Sequence, residues 1–266
     1  MSVFGFIGTG NMGSALARAA SKSVSGEHIL LSNRTGAKAE ALAAELNARA
    51  VTNRTVAAEA DFIFLGVKPQ MMAGLMEEIR PVLETRPSGF VLVSMAAGLT
   101  MEKIRAMAGV DCPVIRILPN TPCAIGEGII LYTCDASVSG EQKEAFLAAM
   151  GAAGRLAPIE EHLINAGSTI SGSAPAFTAM FMEAMADGAV ACGLPRAAAM
   201  EFAAQMLVGT AKLYLENGNH PGAMKDAVCS PAGSTIQGVR ALEAGGFRTA
   251  VMEAIIATYE KNLALG

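Results

Sequence analysis

The sequence contains few charged residues and no long uncharged apolar segment. Charged residues make up 17% of the 266 positions and hydrophobic residues 52%, which is an apolar balance. The most apolar stretch, 173–194, is interrupted by Glu183 and Asp187, whereas a membrane-spanning helix needs about 20 apolar residues in succession. The formal net charge of −4 argues against nucleic acid as a partner. We therefore expect neither a membrane span nor a nucleic-acid site.

Cysteine and histidine are also sparse, with five cysteines and three histidines. The odd number of cysteines and the lack of a C-x-x-C pair predict free thiols in a reducing compartment. Cys112, Cys123 and Cys134 are evenly spaced, but no histidine is close to them, so we expect no metal site. The chain opens on a strand-like run without a basic segment, so no signal peptide is expected.

Residues 1–162 alternate between strand-like and helix-like segments. Runs rich in Val, Ile, Leu and Phe, without polar alternation, indicate strands that are buried on both faces. Such strands, separated by amphipathic helices, are typical of a parallel sheet with crossover connections. We therefore predict an α/β domain over 1–162, with strands in the segments SVFGFIG, HILLSN, ARAVT, DFIFLGV, GFVLVSMAAG, PVIRILP, GIILYT and RLAPI.

Residues 163–266 show no strand pattern and predict five helices, that is, an all-α domain. The first of these helices is apolar almost all round, at Phe177, Met180 and Phe181 among others. A helix of this kind must be covered on every side. A second subunit would supply that cover, which predicts an obligate homodimer with a helical interface. The alternative is a central core helix in a monomer.

Three glycines near the amino terminus, Gly8, Gly10 and Gly13, stand in a G-x-G-x-x-G frame between a strand and a helix. In this context the first glycine permits a tight turn, the second lets a pyrophosphate approach the backbone, and the third allows close helix packing. The loop, which also includes Thr9, Asn11 and Met12, predicts a Rossmann-like dinucleotide site. The alternative is a glycine turn without a ligand.

The end of the second predicted strand bears on the choice of cofactor. An NAD site usually has an acidic residue there, about 20 residues after the glycines. This sequence has Ser32, Asn33, Arg34 and Thr35 instead. A guanidinium group binds phosphate in bidentate fashion, so we expect NADPH to be preferred and NADH to be possible. The alternative for Arg34 is a solvated surface charge.

Further cofactor contacts are expected where other strands end, because ligands of open α/β sheets bind at the carboxyl ends of the strands. Each of these segments could instead be a plain strand-to-helix turn. The expected residues are Asn53, Val67, Lys68, Pro69, Ala96, Ala97, Gly98 and Asn120. Of these, Asn53 is expected near the adenosine and Asn120 near the nicotinamide.

The sequence shows no convincing proton carrier for the reduction of a carbonyl group. His28, His162 and His220 lie at a strand start, near the domain boundary and in a turn. Reduction of a cyclic imine fits better, because its nitrogen can arrive already protonated and the enzyme mainly has to orient the C=N bond.

These motifs resemble the pyrroline-5-carboxylate reductase family nearly end to end. The similarity includes GFIGTGNMG, VKPQ, RILPNTP, SGSAPAF, DGAVACGLPR and HPGAMKDAVCSPAGSTIQGVRALEAGGFR, the last of which is the family signature. The resemblance implies NADPH- or NADH-dependent reduction of 1-pyrroline-5-carboxylate to L-proline, the last step of proline biosynthesis. It also implies a Rossmann-like domain and an intertwined helical homodimer, which in some members assembles into a ring of five dimers. The family is generally cytoplasmic in bacteria, so the resemblance implies a cytoplasmic location.

The resemblance further implies a substrate site at Gly233, Ser234 and Thr235. Backbone N–H groups of this turn would hold the substrate carboxylate at a helix N-terminus, and the Thr235 hydroxyl would bond the pyrroline nitrogen. The alternative is that Ser234 or Thr235 only caps the helix. Ser173 would also reach the substrate, or would merely start a helix.

Two other functions remain open on the residues alone. A β-hydroxyacid dehydrogenase-like enzyme would need a catalytic lysine on the first long helix of the second domain, but no lysine occurs from Leu163 to Ala211. An NADP-binding sensor on the same fold would bind the cofactor without turnover.

Overall fold

The computed structural model describes residues 2–86 and 89–265 and contains two compact units. One unit extends to Gly172 and includes the residues from Tyr259 onwards, and the other is Ser173–Thr258. The division expected between residues 162 and 163 falls inside the first unit. The reason is that the short helix Ile164–Ser168 packs against the first unit. Its Gly167 lies so close to the side chains of Leu131 and Ile159 that a Cβ added there would be 2.7 and 3.0 Å from them.

In the described part of the chain, all eight expected strands are confirmed. They are β1 (Phe4–Ile7), β2 (Ile29–Ser32), β3 (Arg49–Ala50), β4 (Phe62–Leu65), β5 (Val91–Ser94), β6 (Val114–Leu118), β7 (Gly128–Cys134) and β8 (Gly154–Pro158). The helices of the same unit are α1 (Asn11–Ala20), α2 (Gly36–Leu46), α3 (Asn53–Glu59), α4 (Met72–Thr85), α5 (Met101–Ala108), α6 (Gly140–Met150) and α7 (Ile164–Ser168).

The five expected helices of the second half are also confirmed. They are α8 (Ala174–Ala191), α9 (Arg196–Asn217), α10 (Pro221–Val228), α11 (Ser234–Ala244) and α12 (Phe247–Leu265), and α12 runs from the second unit into the first. A π-helical turn, Thr169–Ser173, precedes α8 and was not expected from the sequence. No helix among the described residues is both long and apolar enough to cross a membrane.

The strands form one sheet in the order β3-β2-β1-β4-β5-β6-β7-β8. The chain moves outward from β1 in one direction and then returns to place β4 on the other side of β1. The strand order therefore reverses at β1 and β4, which is where open α/β sheets bind ligands. All neighbouring pairs are parallel except β6 and β7. The expected parallel sheet is confirmed, and β6 and β7 are the exception because the connection 119–127 is too short for a crossover.

Alternate residues of the central strands fill two apolar layers, one on each face of the sheet. Phe4 stacks on Phe62 and Phe6 on Phe64, with ring centroids 4.8 and 4.4 Å apart, on the face that α1, α2 and α6 cover. The intervening residues face α3, α4 and α5. Burial on both faces explains why these strands are continuous apolar runs. Burial on both faces also holds the end of β1 in place, from which the glycine loop projects.

The helices of the second unit bury little of their apolar surface within one chain. The buried residues among those described there are Ala186, Ala199 and Ala203. Phe181 and Phe247 contact each other with ring centroids 5.6 Å apart. Many larger apolar side chains are exposed, which is typical of a protein interface. They include Met180, Phe202, Met206, Val208, Leu213, Leu215, Val251, Met252 and Ile256.

Candidate active site

The glycine loop after β1 has the geometry that close approach of a ligand requires. Gly8 has a φ of +97°, and a Cβ there would lie 2.5 Å from the Gly66 carbonyl oxygen. A Cβ on Gly13 would lie 2.1 Å from the Gly8 oxygen, so the start of α1 packs directly on the loop. A Cβ on Gly10 would meet nothing within 4 Å. The backbone at Gly10 is therefore open to an incoming group.

The N-terminus of α1 is suited to an anion. Gly10 is the N-cap residue, so no side chain caps the helix, and its first turn contains no acidic residue. The first N–H groups of a helix have no intrahelical partner and lie at the positive end of the helix dipole. Together with the open backbone at Gly10, this arrangement fits the pyrophosphate of a dinucleotide.

A cleft of about 840 Å³ lies beside the loop, where β1 and β4 end. A cleft of this size accommodates a small-molecule cofactor. Eight of the expected cofactor residues line it, namely Gly8, Gly10, Asn33, Arg34, Thr35, Asn53, Val67 and Lys68. The sequence prediction did not include Ile7, Lys38, Gly66, Gln70, Met71, Gly74, Leu75 and Glu78, which also line it.

Charged side chains from several elements line this cleft. Arg34, Lys38 and Lys68 supply positive charge to the cleft. No acidic residue stands at the end of β2, but Glu78 of α4 lines the same cleft. Glu78 is an exposed acid on an amphipathic helix, and nothing in the sequence distinguishes it from an ordinary solvated residue. Positive charge therefore dominates the rim, and the one acid among the lining residues comes from another element.

The remaining expected cofactor residues do not line this cleft, and their roles stay predictions. The Thr9 hydroxyl is buried and has no hydrogen-bond partner among the residues that the structure describes. Asn120 is 8% exposed, and its Oδ1 accepts a hydrogen bond from the backbone N–H of Ile129 at 2.9 Å, which supports the turn between β6 and β7. The others are Asn11, Met12, Gly13, Pro69, Ala96, Ala97 and Gly98.

The second candidate site is the start of α11, in the other compact unit. Gly233 is its N-cap residue, and Ser234 and Thr235 are its first two helical residues, both exposed. No side chain caps this helix, and its first turn contains no acid. The alternative that Ser234 or Thr235 is the N-cap is therefore wrong. Like α1, α11 begins without a side-chain cap or an acid, which suits an anion. Unlike Gly10, Gly233 packs against Ser230, and its N–H donates to the Ser230 carbonyl oxygen at 3.0 Å.

Ser173 is the last residue of the π-helical turn and the N-cap residue of α8, and it is partly buried. Pro175 occupies the first turn of α8, where the missing N–H of proline has no cost. The start of α8 at this point agrees with the expected helix start. Contact of Ser173 with a substrate stays a prediction.

Comparisons with known proteins identify the family of the chain. The family model described as pyrroline-5-carboxylate reductase dimerisation matches residues 161–265, and that described as NADP oxidoreductase, coenzyme F420-dependent, matches residues 3–98. The pyrroline-5-carboxylate reductase of Escherichia coli strain K12 is 42% identical over 97% of this chain and 96% of its own. The chain belongs to the pyrroline-5-carboxylate reductase family. The resemblance inferred from the sequence motifs is thus confirmed.

More distant members of the family have the same architecture. The enzyme of Methanosarcina acetivorans is 36% identical over 98% of this chain and 97% of its own. The structure of the pyrroline-5-carboxylate reductase from Coxiella burnetii, 27% identical, covers 100% of this chain and 98% of its own, with a TM-score of 0.92. That of Plasmodium falciparum, with NADP bound, is 27% identical with the same coverage and a TM-score of 0.87. The protein is therefore an oxidoreductase with a dinucleotide-binding fold.

Proposed function

We propose that this protein reduces 1-pyrroline-5-carboxylate to L-proline and so completes proline biosynthesis. Membership of the reductase family, over nearly the whole chain, is the observation that carries the proposal. The absence of a lysine from Leu163 to Ala211 argues against a hydroxyacid dehydrogenase. The uncapped helix start at Gly233 supports the proposal, because it would suit a substrate carboxylate that a cofactor sensor would not need.

The first unit would hold the cofactor. A bound reduced nicotinamide supplies the hydride that adds to the imine carbon. The N–H groups at the start of α1 would bind the pyrophosphate, since Gly10 leaves the approach open. Arg34 would contact the 2′-phosphate of NADPH, and this contact is the basis for expecting NADPH to bind more tightly than NADH.

The second unit would hold the substrate. N–H groups of Ser234 and Thr235 would bind the carboxylate at the start of α11, where no side chain competes for them. The Gly233 N–H already donates to the Ser230 carbonyl oxygen at 3.0 Å, so Gly233 would contribute the turn rather than a donor. The imine nitrogen would arrive already protonated, so the π electrons of the C=N bond become the nitrogen lone pair of the product amine as the hydride adds to carbon. The Thr235 hydroxyl would hydrogen-bond this nitrogen and orient the bond. Ser173 would assist in holding the substrate.

We also propose an obligate homodimer formed by α8–α12. The exposed apolar side chains of these helices and the match of residues 161–265 to a dimerisation family model support it. Light scattering on the purified protein distinguishes a dimer from the assembly of five dimers that occurs in some members. A monomer at micromolar concentration would contradict the proposal. The cytoplasmic location stays a prediction.

The test of the function is the oxidation of NADPH, followed by absorbance, in the presence and absence of 1-pyrroline-5-carboxylate. We expect oxidation to require the imine and L-proline to form in equal amount, with NADH oxidised less efficiently. Tight cofactor binding without turnover on the imine would contradict the proposed function.

A further inference from the structure

A chain of hydrogen bonds joins three elements at the end of the cofactor cleft. The hydroxyl of Ser32, the last residue of β2, donates to Oδ1 of Asn53 at 2.7 Å. The Nδ2 group of Asn53, the first residue of α3, donates to Oε2 of Glu78 in α4 at 2.8 Å. Asn53 and Glu78 both line the cleft, and Ser32 is 4% exposed.

Ser32 and Glu78, the two ends of this hydrogen-bond series, constrain the Asn53 amide in different ways. A serine hydroxyl can donate or accept, so Ser32 would tolerate either face of the amide. An ionised carboxylate only accepts hydrogen bonds, so Glu78 tolerates the NH₂ group and repels the carbonyl oxygen. Glu78 therefore decides which atom of Asn53 faces which neighbour. One N–H of Nδ2 and one lone pair of Oδ1 are not used by these two bonds.

We propose that Glu78 is a positioning residue for cofactor binding, because it fixes the orientation in which Asn53 meets the adenosine half of the dinucleotide. The inference rests on the proposed use of this cleft for the cofactor. Adenosine is common to NADPH and NADH, so the contribution of Glu78 is the same for both. Arg34, by contrast, would act only on the 2′-phosphate.

The charge of Glu78 alone would have a different effect. A carboxylate among Arg34, Lys38 and Lys68 would repel the 2′-phosphate, so its removal would tighten NADPH and leave NADH unchanged. Removal of the positioning hydrogen bond would weaken both cofactors. The sign of the change in NADPH affinity therefore separates the two roles.

The experiment measures Kd for NADPH and NADH by fluorescence titration of the full-length protein and three variants. Glu78→Ala removes both the acceptor and the charge, and Glu78→Gln keeps an acceptor without the charge. Glu77→Ala is the matched control, because Glu77 is the exposed neighbour on α4 and does not line the cleft. Steady-state KM and kcat with saturating imine accompany each titration.

We expect Glu78→Ala to weaken both cofactors about tenfold, the equivalent of one hydrogen bond to a charged group. Glu78→Gln should stay within about threefold of the parent, because the Gln oxygen can still accept from Asn53. Glu77→Ala should change neither Kd. The KM for both cofactors should rise in Glu78→Ala while kcat stays the same, whereas a merely misfolded fraction would lower kcat at constant KM.

Unchanged affinities in Glu78→Ala, tighter NADPH binding alone, or a fall in kcat at constant KM would each overturn the inference. Failure of the parent protein to bind either cofactor would overturn the proposed function, and this inference with it. The two failures are distinguishable, since the first leaves cofactor binding by the parent intact.

Discussion

Removal of the Glu161 carboxylate should destabilise the first unit strongly. Arg116 of β6 is 3% exposed, and its Nη1 lies 3.2 Å from Oε1 of Glu161. The same oxygen accepts the backbone N–H of Met101, at the start of α5, at 2.7 Å. Burial lowers the pKa of Arg116, and the hydrogen bond that Arg116 donates to Glu161 partly offsets this shift. Glu161 is thus the acid that pairs with a buried charge and also holds a helix start.

The size of the effect follows from what Glu161→Ala would leave behind. Breaking a buried ion pair costs about 3–5 kcal/mol, because the remaining charge is desolvated without compensation. The Glu161 side chain is 28% exposed, so water can reach part of the vacated space and the lower end of the range applies. The α5 helix keeps its Thr100 cap, whose hydroxyl accepts the Lys103 N–H. We expect a loss of about 3 kcal/mol in the free energy of unfolding.

The assay is equilibrium urea unfolding at fixed protein concentration, since dimerisation would couple stability to concentration. Glu160→Ala is the matched control, because Glu160 is an exposed neighbour whose partner, His162, is also exposed, and it should cost less than about 1 kcal/mol. Combining Glu161→Ala with Arg116→Met removes the unpaired charge and should recover most of the loss. A Glu161→Ala protein within about 1 kcal/mol of the parent, or a double variant no more stable than Glu161→Ala alone, would refute the reasoning.

Three further results are expected at the proposed sites. Gly10→Ala should weaken NADPH binding at least about tenfold without loss of stability, because the added methyl group lies where the pyrophosphate would approach. Gly13→Ala should lower the free energy of unfolding by about 1–3 kcal/mol, because its Cβ would lie 2.1 Å from the Gly8 oxygen. Equal stability of the two variants would contradict this distinction. Arg34→Ala should raise the Kd for NADPH about tenfold or more with little change for NADH, and a parallel change in both would exclude a 2′-phosphate contact. Thr235→Val should lower kcat/KM about 10- to 100-fold, with Thr235→Ser as the control, and full activity of the valine variant would remove Thr235 from the mechanism.

Strand and helix positions were accessible from the sequence because each follows from local periodicity. The continuous apolar runs at Phe62–Leu65 and Val91–Ser94 predict doubly buried strands, and both lie at the centre of the sheet. The glycine frame was accessible too, because each glycine meets a separate steric demand. The sequence lacks a convincing proton carrier for carbonyl reduction, which predicts an imine substrate, and family membership supports this substrate class.

Features that depend on distant pairs were not accessible. Arg116 and Glu161 are 45 residues apart, and the arginine is hidden within an apolar strand pattern. Glu78 looks like a solvated helix residue until α3 places Asn53 beside it. The antiparallel pairing of β6 and β7 depends on the length of their connection rather than on the apolar pattern of either strand.

The two candidate sites lie in different units but share one local feature, a helix start without a side-chain cap. Helices α1 and α11 both begin after a glycine, with no side-chain cap and no acid in the first turn. By contrast, Thr100 and Ser139 cap α5 and α6 with their hydroxyls. A side-chain cap stabilises a helix by about 1 kcal/mol but occupies the N–H groups that an anion needs. In the proposed function the cofactor pyrophosphate and the substrate carboxylate take the place of those caps, so each ligand should stabilise the unit that binds it.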